Sequence, residues 1–226
     1  MTVRLLTGLL VALVTMAHAP RPERSQPVLT IAQLQYDGGG DWYANPSGVP
    51  NLLGAIRERT GIAVSTEPGR TKLTDPTLWS YPFLYMTGHG NVRFSAEEKQ
   101  LLRRYLLDGG FLHVDDNYGL DESFRREIRG VFPDRELQEI PADHPVFSVF
   151  YAFPDGLPKV HQHEGRSPQA FGIFDAGRLV LFYSFESDLG NGWEDPGKYD
   201  DAPETREAAL RMGVNLFLYA MAQVVP

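Results

Sequence analysis

The sequence contains no cysteine among its 226 residues. Disulfides, thiolate metal ligands and cysteine nucleophiles are therefore excluded, and the fold must depend on its packed core. Basic residues are also in deficit, because 21 Lys and Arg stand against 29 Asp and Glu, a formal net charge of −8. This balance argues against a broad surface for nucleic acid or anionic lipid. We expect a protein that binds no nucleic acid.

Long apolar runs are scarce, and the longest lies at the N-terminus. One arginine precedes the stretch Leu5–Met16, and the small-residue sequence Ala-His-Ala follows it. This layout is typical of a secretory signal peptide, and the run is shorter than the roughly 20 residues that span a bilayer. We predict a signal peptide at 1–19, a tether at 20–27 and a single domain at 28–226, exported to the periplasm or secreted. Anchoring through an uncleaved leader is the alternative, and we expect no transmembrane segment beyond the leader.

Two common catalytic or nucleotide-binding motifs are missing as well. No Gly-x-Ser-x-Gly nucleophile elbow occurs in the chain, which argues against a serine hydrolase of that type. The glycines at 38–40 have neither the spacing nor the following helix of a P-loop or a dinucleotide fingerprint. The sequence therefore favours neither of these activities.

Apolar segments with strand and helix periodicity alternate through the first half of the chain. This alternation predicts a mainly parallel sheet with helices on both faces, a three-layer α/β fold. A glycine turn between two later strands predicts an added C-terminal β-hairpin. The predicted strands are 28–34, 62–65, 83–87, 111–114, 137–140, 169–174 and 178–185, and the predicted helices begin near Pro50, Ser95, Asp121 and Pro203.

Two neighbouring predicted strands each end in polar, chemistry-bearing residues. His89 follows one strand, and Asp115 and Asp116 follow the next. Because ligands bind outside the carboxyl ends of parallel strands, we predict these three as catalytic residues of one crevice. Side chains alternate along a strand, so we expect only one aspartate to point into it. The alternative is that both aspartates order the turn before the next helix, for which Asp121 is the predicted cap.

Other residues near the strand ends combine glycine, aromatic, amide and acidic groups. Aromatic rings beside acidic or amide groups are typical of sites that stack on sugar rings and bind their hydroxyls. Packing of each ring in the core is the alternative. The predicted ligand-binding residues are Asp37, Gly38, Trp42, Gly88, Gly90, Asn117, Glu186, Asp188 and Trp193, the last three within a polar loop at 186–195.

A pair of histidines leaves metal binding open. His161 and His163 alternate, which places both imidazoles on one side of an extended segment. With Asp37 or Asp115 they could complete a zinc or manganese site. Such spacing also arises by chance, so the sequence identifies no cofactor and leaves a divalent metal as an alternative.

Four motifs together resemble a bacterial family of unknown function that is often exported or membrane-attached. They lie at 33–43, 85–90, 109–117 and 188–194. This family is similar to the class I glutamine amidotransferase-like superfamily, and distantly to trehalose-utilisation-type proteins, which implies a flavodoxin-like fold. Amidotransferases carry a cysteine at the turn that here holds Asp115 and Asp116. The resemblance therefore implies a domain without cysteine-dependent amidotransfer.

The sequence thus supports three functional hypotheses. The first is an exported amidotransferase-like domain that binds a small polar ligand, either a carbohydrate or an envelope-derived molecule. The second is a hydrolase or isomerase that uses His89 and Asp115 as an acid/base pair, with or without a metal. The third is a non-catalytic scaffold within an envelope protein complex.

Overall fold

A computed structural model describes residues 29–161 and 165–223. The predicted leader and tether, together with His163, lie outside the described residues. Within them the chain forms one sheet of seven strands. The strands are β1 Ile31–Gln35, β2 Gly69–Lys72, β3 Phe83–Met86, β4 Phe111–Asp115, β5 Gln138–Glu139, β6 Gln169–Asp175 and β7 Arg178–Phe185.

Five α-helices accompany the sheet. They are α1 Gly48–Thr60, α2 Ala96–Leu107, α3 Asp121–Val131, α4 Leu189–Trp193 and α5 Pro203–Ala222, with short 3-10 turns at Pro76–Ser80 and Pro145–Phe147. None of the helices formed by residues 29–161 and 165–223 combines the length and apolar character needed to cross a bilayer.

The sheet is mainly parallel, with the strand order β2-β1-β3-β4-β7-β6-β5. Neighbours from β2 to β7 run parallel, whereas β6 is antiparallel to both β7 and β5. When only the five parallel strands are numbered, β7 is the fifth of them. Their order across the sheet is then 2-1-3-4-5, the order of one doubly wound class. The predicted α/β architecture and the later hairpin, now β6 and β7, are confirmed.

Helices cover both faces of the sheet and create two apolar cores. On one face α1 and α5 pack against side chains such as Phe83, Phe111 and Phe182. On the other, α2 and α3 pack against Leu84 and Leu112, among others. Alternation along each strand sends neighbouring residues to opposite faces, so both layers bury apolar area from one set of strands. The three-layer prediction is confirmed.

Local signals fix the helix ends as the sequence indicates. Ser95 Oγ accepts from the Glu98 backbone N at 3.1 Å, and the Glu98 carboxylate accepts from the Ser95 N at 2.8 Å, a complete capping box at the start of α2. Gly61 ends α1 with φ of 72°. Because that left-handed conformation is easiest for glycine, it stops the helix cleanly.

Three predicted local features differ from the structure. The predicted strand at 62–65 makes only an isolated bridge at Val64, and the second strand is β2, an edge strand without apolar alternation. Asp121 is the first residue of α3 rather than its cap, because its carboxylate binds Arg125 Nε and the Tyr183 hydroxyl. The predicted polar loop at 186–195 contains the short helix α4.

The start of α1 depends on a distant carboxylate. Glu194 accepts from the Ser47 N at 2.9 Å, the Ser47 hydroxyl at 2.7 Å and the Gly48 N at 3.2 Å. We expect Glu194→Gln to lower the free energy of unfolding by about 1–2 kcal/mol in urea titrations, because one oxygen and the charge at a helix N-terminus are lost. Glu58→Gln, an exposed change on the same helix, is the control. Equal effects of the two changes would contradict this role.

Candidate functional site

The carboxyl ends of β1, β3, β4 and β7 meet at one edge of the sheet. The loops that follow them, 36–47, 87–95, 116–120 and 186–188, form this rim and contain nearly all of the predicted site residues. As alternation requires, Asp115 and Asp116 face opposite layers. Asp115 turns towards α4 and Asp116 towards α3. The two aspartates therefore belong to different environments.

Asp115 is fully buried and surrounded by hydrogen-bond donors. Its Oδ1 accepts from the Ser184 hydroxyl at 2.6 Å and from the Leu189 N at 3.0 Å. Its Oδ2 accepts from the Gly190 N at 2.6 Å and from the Tyr85 hydroxyl at 3.3 Å. Since two of these donors are the first backbone N–H groups of α4, Asp115 fixes that helix against the end of β4.

Burial makes both Asp115 and the nearby His113 prefer their neutral forms. Burial and the Asp188 charge raise the pKa of Asp115 to about 7, against the lowering effect of its hydrogen bonds. Burial lowers the pKa of His113 to about 3. His113 Nε2 lies 2.9 Å from the Ser184 hydroxyl, which donates onward to Asp115. His113 therefore donates through Nε2 in its neutral form, and its Nδ1 has no hydrogen-bond partner among the described residues.

Asp188 belongs to a buried polar network beside this chain. Its backbone is left-handed, with φ of 60°, and its carboxylate accepts from Asn191 Nδ2 at 2.5 Å. The Asn117 amide satisfies both neighbours when its nitrogen faces Asp188. The Asn117 nitrogen then lies 2.7 Å from Asp188 Oδ1, and the Asn117 side-chain oxygen lies 3.1 Å from Thr87 Oγ1. The predicted residues Asn117 and Asp188 thus meet, but inside the protein. Their contacts hold the β3, β4 and β7 loops together.

An open cleft lies on the other side of β4, where Asp116 points. Its volume is about 240 Å³, and Asp116, Tyr118, Gly119, Asp121, Glu122, Arg166, Phe185 and Glu186 line it. Asp116 Oδ2 accepts from the Glu186 N at 3.2 Å, so the predicted residues of two loops are joined here. We call this feature the Asp116 cleft.

Aromatic and cationic groups accompany the acids of the Asp116 cleft. The Phe185 ring has the Arg125 guanidinium 5.3 Å and the Arg166 guanidinium 5.9 Å from its centroid, which are cation–π distances. Tyr118 is 67% exposed. The cleft therefore offers carboxylates, a guanidinium and an exposed aromatic ring together.

Glu186 ties this rim to the chain before β6. It is buried, with φ of 57°, and its carboxylate accepts from Lys159 Nζ at 2.9 Å. Lys159 also donates to the Glu186 carbonyl at 2.5 Å and to the Arg166 carbonyl at 3.2 Å. Lys159 thus holds the backbone at Glu186 and Arg166, two residues that line the Asp116 cleft.

His89 lies at the rim, but its partner differs from the predicted one. Its Nδ1 is 3.0 Å from Asp41 Oδ2, and the other Asp41 oxygen accepts from the His89 backbone N. The imidazole is 55% exposed, whereas Asp115 is fully buried. No hydrogen bond within the described residues joins His89 to Asp115. The structure therefore pairs His89 with Asp41 instead.

The predicted ligand-binding residues Asp37, Gly38 and Trp42 differ in their exposure and in their neighbours. The Asp37 side chain is exposed, and its carbonyl accepts from the Arg93 N at 2.7 Å. Gly38, with φ of 120°, lies so close to the segment 91–93 that a Cβ would stand 2.7 Å from the Asn91 carbonyl oxygen. Trp42 is half-buried beside Tyr43. These residues belong to the rim loop after β1 and do not line the Asp116 cleft.

Trp193 belongs to the core. It is 1% exposed, its Nε1 donates to the Ala209 carbonyl at 2.8 Å, and its ring packs 5.2 Å from that of Tyr85. The ring is thus enclosed by α5 and β3, as the core-packing alternative describes. We leave Trp193 out of the ligand contacts proposed below.

The described residues contain no group of three or more histidines and carboxylates placed to hold a metal ion. His161 donates its backbone N to the Ser187 carbonyl, and its ring lies 6.3 Å from that of Tyr199. His163, the other half of the predicted pair, falls outside the described residues. Metal binding by the pair stays a sequence-based prediction.

The sequence-based prediction omitted two residues of the rim, Asp41 and Tyr118, and one further residue of the Asp116 cleft, Arg166. Asp41 was detectable, because it lies within the glycine-rich run between Gly38 and Trp42. Tyr118 follows the Asp115–Asn117 run directly, so its place on the same loop was also available. Arg166 gave no signal, because its position depends on how the chain returns to β6.

Comparison with known proteins identifies a family for this fold and site. The model of a family described as Domain of unknown function (DUF4159) matches residues 30–221. The chain belongs to this family. The match covers every strand of the DUF4159 sheet and all four rim loops. No curated protein matches the chain.

Proposed function

We propose that this DUF4159 domain binds a small, hydroxyl-rich ligand in the Asp116 cleft, either a carbohydrate or an envelope-derived molecule of similar chemistry. The observation that carries the proposal is one open cleft lined by Asp116 and Glu122 beside the exposed Tyr118. Ligand sites of parallel α/β sheets lie at this edge.

Position, rather than size, favours the Asp116 cleft. A second cleft of about 230 Å³ lies along α3 and β6 and includes Glu136. A third, of about 280 Å³, is lined by residues 79–82 and 108–110, which precede β3 and β4 and thus lie at their amino ends. Only the first of these three includes residues from loops that follow the parallel strands. It therefore combines the expected location with suitable chemistry.

The chemistry of the cleft suits alcohol groups. Carboxylate oxygens accept hydrogen bonds, so Asp116 and Glu122 complement hydroxyl donors. Arg166 supplies donors for ring or hydroxyl oxygens of the same ligand. The exposed face of Tyr118 can stack on the apolar face of a sugar ring. A polyhydroxylated ring satisfies all three requirements.

Export and amidotransferase-like ancestry belong to the same proposal. The leader-like sequence before Pro20 supports delivery to the envelope, where sugars and their polymers are abundant. The strand order of the sheet is compatible with the resemblance to amidotransferase-like proteins. The mass of the protein after expression in a bacterium with its own secretion machinery shows whether the leader has been removed, and this measurement tests the export component.

Asp116→Asn tests ligand binding directly. In calorimetric or NMR titrations with a panel of neutral mono- and disaccharides, we expect the wild-type domain to bind at least one sugar. We expect Asp116→Asn to bind it about 10-fold more weakly, because one charged acceptor is lost. Glu136→Gln, in the cleft along α3, is the matched control and should bind normally. Equal weakening by both changes, or no binding by the wild type, would contradict the proposal.

A further inference from the structure

The pair formed by Asp41 and His89 lies where the strand order of the sheet reverses. The connection after β1 leads to α1 on one face, whereas the connection after β3 leads to α2 on the other. The chain thus leaves β1 and β3 towards opposite faces, and this switch point is the usual ligand position in doubly wound sheets. Asp41 and His89 come from the loops that follow these two strands.

Several contacts lock the two residues together. The Asp41 carboxylate accepts from the His89 backbone N and lies 3.0 Å from Nδ1, while the Asp41 N donates to the His89 carbonyl at 3.3 Å. A carboxylate cannot donate, so the hydrogen bond at Nδ1 requires its proton there. In the neutral imidazole Nε2 then carries a lone pair, and the ring is 55% exposed.

Glycines around the pair keep the backbone close and the ring accessible. A Cβ on Gly40 would stand 2.9 Å from the His89 carbonyl oxygen. Gly88 has φ of 137°, and a Cβ there would stand 2.3 Å from the Tyr36 hydroxyl and 2.9 Å from the Asp41 carbonyl oxygen. Larger residues would separate the two loops. This local sequence therefore builds the contact between Asp41 and His89.

The loop carrying His89 also touches the loop that borders the Asp116 cleft. The Gly90 N donates to the Tyr118 carbonyl at 3.4 Å, and a Cβ on Gly119 would lie 3.7 Å from the Gly90 N. Tyr118 and Gly119 line the cleft. A ligand held there thus lies beside the loop that presents Nε2.

We infer that Asp41 is a positioning residue that holds His89 as a general base, and that His89 activates water for hydrolysis of a small hydroxylated acyl ester. The inference rests on the proposed function, because the Asp116 cleft would recognise the hydroxyl groups of the substrate. The chain has no cysteine to serve as nucleophile, and we assign the attack on the ester to water.

The reaction balances without any further reactant. Nε2 of His89 takes a proton from water as the water oxygen bonds to the acyl carbon, and the carbonyl electrons move to its oxygen. The intermediate then collapses, the bond between acyl carbon and ester oxygen breaks, and the imidazolium returns the proton to the leaving alcohol. Ester and water become carboxylic acid and alcohol. Asp41 keeps the ring oriented and balances its positive charge between the two steps.

Hydrolysis of 4-nitrophenyl acetate and of monoacetylated glucose tests the activity. We expect wild-type rates at least about 100-fold above those of His89→Gln, the range of general-base catalysis. Asp41→Asn should slow both reactions at least about 10-fold. Asp134→Asn, an exposed carboxylate paired with Arg103, is the control and should leave the rates unchanged. Equal rates for the wild type and His89→Gln with both esters would overturn the proposed activity.

Nitrogen-15 NMR of the imidazole tests positioning separately. We expect the neutral His89 ring to carry its proton on Nδ1 in the wild type and to shift towards the Nε2-protonated form in Asp41→Asn. A wild-type ring protonated on Nε2 would overturn the positioning role.

Sugar titration of His89→Gln separates this inference from the proposed function. Retained sugar binding with lost hydrolysis supports both proposals. If hydrolysis depends on His89 but the wild type binds no sugar, ligand recognition in the Asp116 cleft is contradicted. The proposed role of His89 as general base would still be supported.

Discussion

Asp115→Asn is expected to change how the free energy of unfolding depends on pH. In the wild type, burial and the Asp188 charge raise the pKa of Asp115 from 3.8 to about 7. A folded-state pKa above the unfolded one stabilises the fold in acid, and this contribution is lost as the pH rises through the window between the two values. The slope approaches about 1.36 kcal/mol per pH unit within that window. Because an amide does not titrate in this range, Asp115→Asn does not lose stability in this way as the pH rises.

His113 acts in the opposite direction over nearly the same range. Burial lowers its pKa from 6.5 to about 3, so its neutral form stabilises the fold above the unfolded value, and this contribution is lost as the pH falls. In the wild type the two slopes oppose each other. We therefore expect Asp115→Asn to expose a rise of stability with pH, and His113→Gln to expose a fall.

Urea titrations at intervals across this window measure both effects. Asp115→Asn should also lower stability throughout, because an amide nitrogen replaces an oxygen that accepts hydrogen bonds, at a cost of about 1–3 kcal/mol. Its deficit relative to the wild type should shrink as the pH rises. Asp37→Asn removes an exposed carboxylate from the same rim and serves as the control. Parallel pH profiles for the wild type and Asp115→Asn would show that Asp115 is not held neutral by burial.

Gly190→Ala is expected to destabilise the domain by about 3 kcal/mol, the upper end of overpacking costs. A Cβ at this position would stand 2.3 Å from the Tyr85 hydroxyl, 2.9 Å from Asn45 Nδ2 and 3.0 Å from Asp115 Oδ2. All three neighbours are buried, so they cannot move into solvent. The added methyl group must therefore displace α4 from the end of β4.

Gly54→Ala provides the matched control for this change. Gly54 lies within α1, and a Cβ there would meet nothing within 4 Å. Because alanine is the better helix former, we expect this variant to be more stable than the wild type by up to about 1 kcal/mol. Thermal and urea unfolding of both variants checks the pair. A mild effect of Gly190→Ala, similar in size to that of Gly54→Ala, would contradict the tight packing around Asp115.

The architecture was predictable because most elements carry strong local signals. The capping box at Ser95 and the left-handed end at Gly61 appear in the structure where the sequence places them. In contrast, β2 is a polar edge strand, so no apolar pattern marks it. The helix α4 depends on Asp115, a residue far away in the chain, to accept from its first N–H groups.

The positions of the candidate site residues in the fold were predictable, but their pairings were not. Strand ends identified His89, Asp115 and Asp116 as rim residues, and alternation correctly separated the two aspartates. The sequence could not show that Asp115 is enclosed by donors from β7 and α4, since that requires the fold. Nor could it choose Asp41 over Asp115 as the partner of His89, because loop closure determines that contact.

Mapping sugar binding on the isotope-labelled domain by NMR is the most direct test of ligand recognition in the Asp116 cleft. We predict that the neutral sugar bound most tightly shifts the backbone signals of 116–119, 185–186 and the loop around His89, and that Asp116→Asn weakens these shifts. Shifts confined to the cleft along α3 around Glu136, or no shifts with any sugar of the panel, would contradict ligand recognition at the carboxyl edge of the sheet.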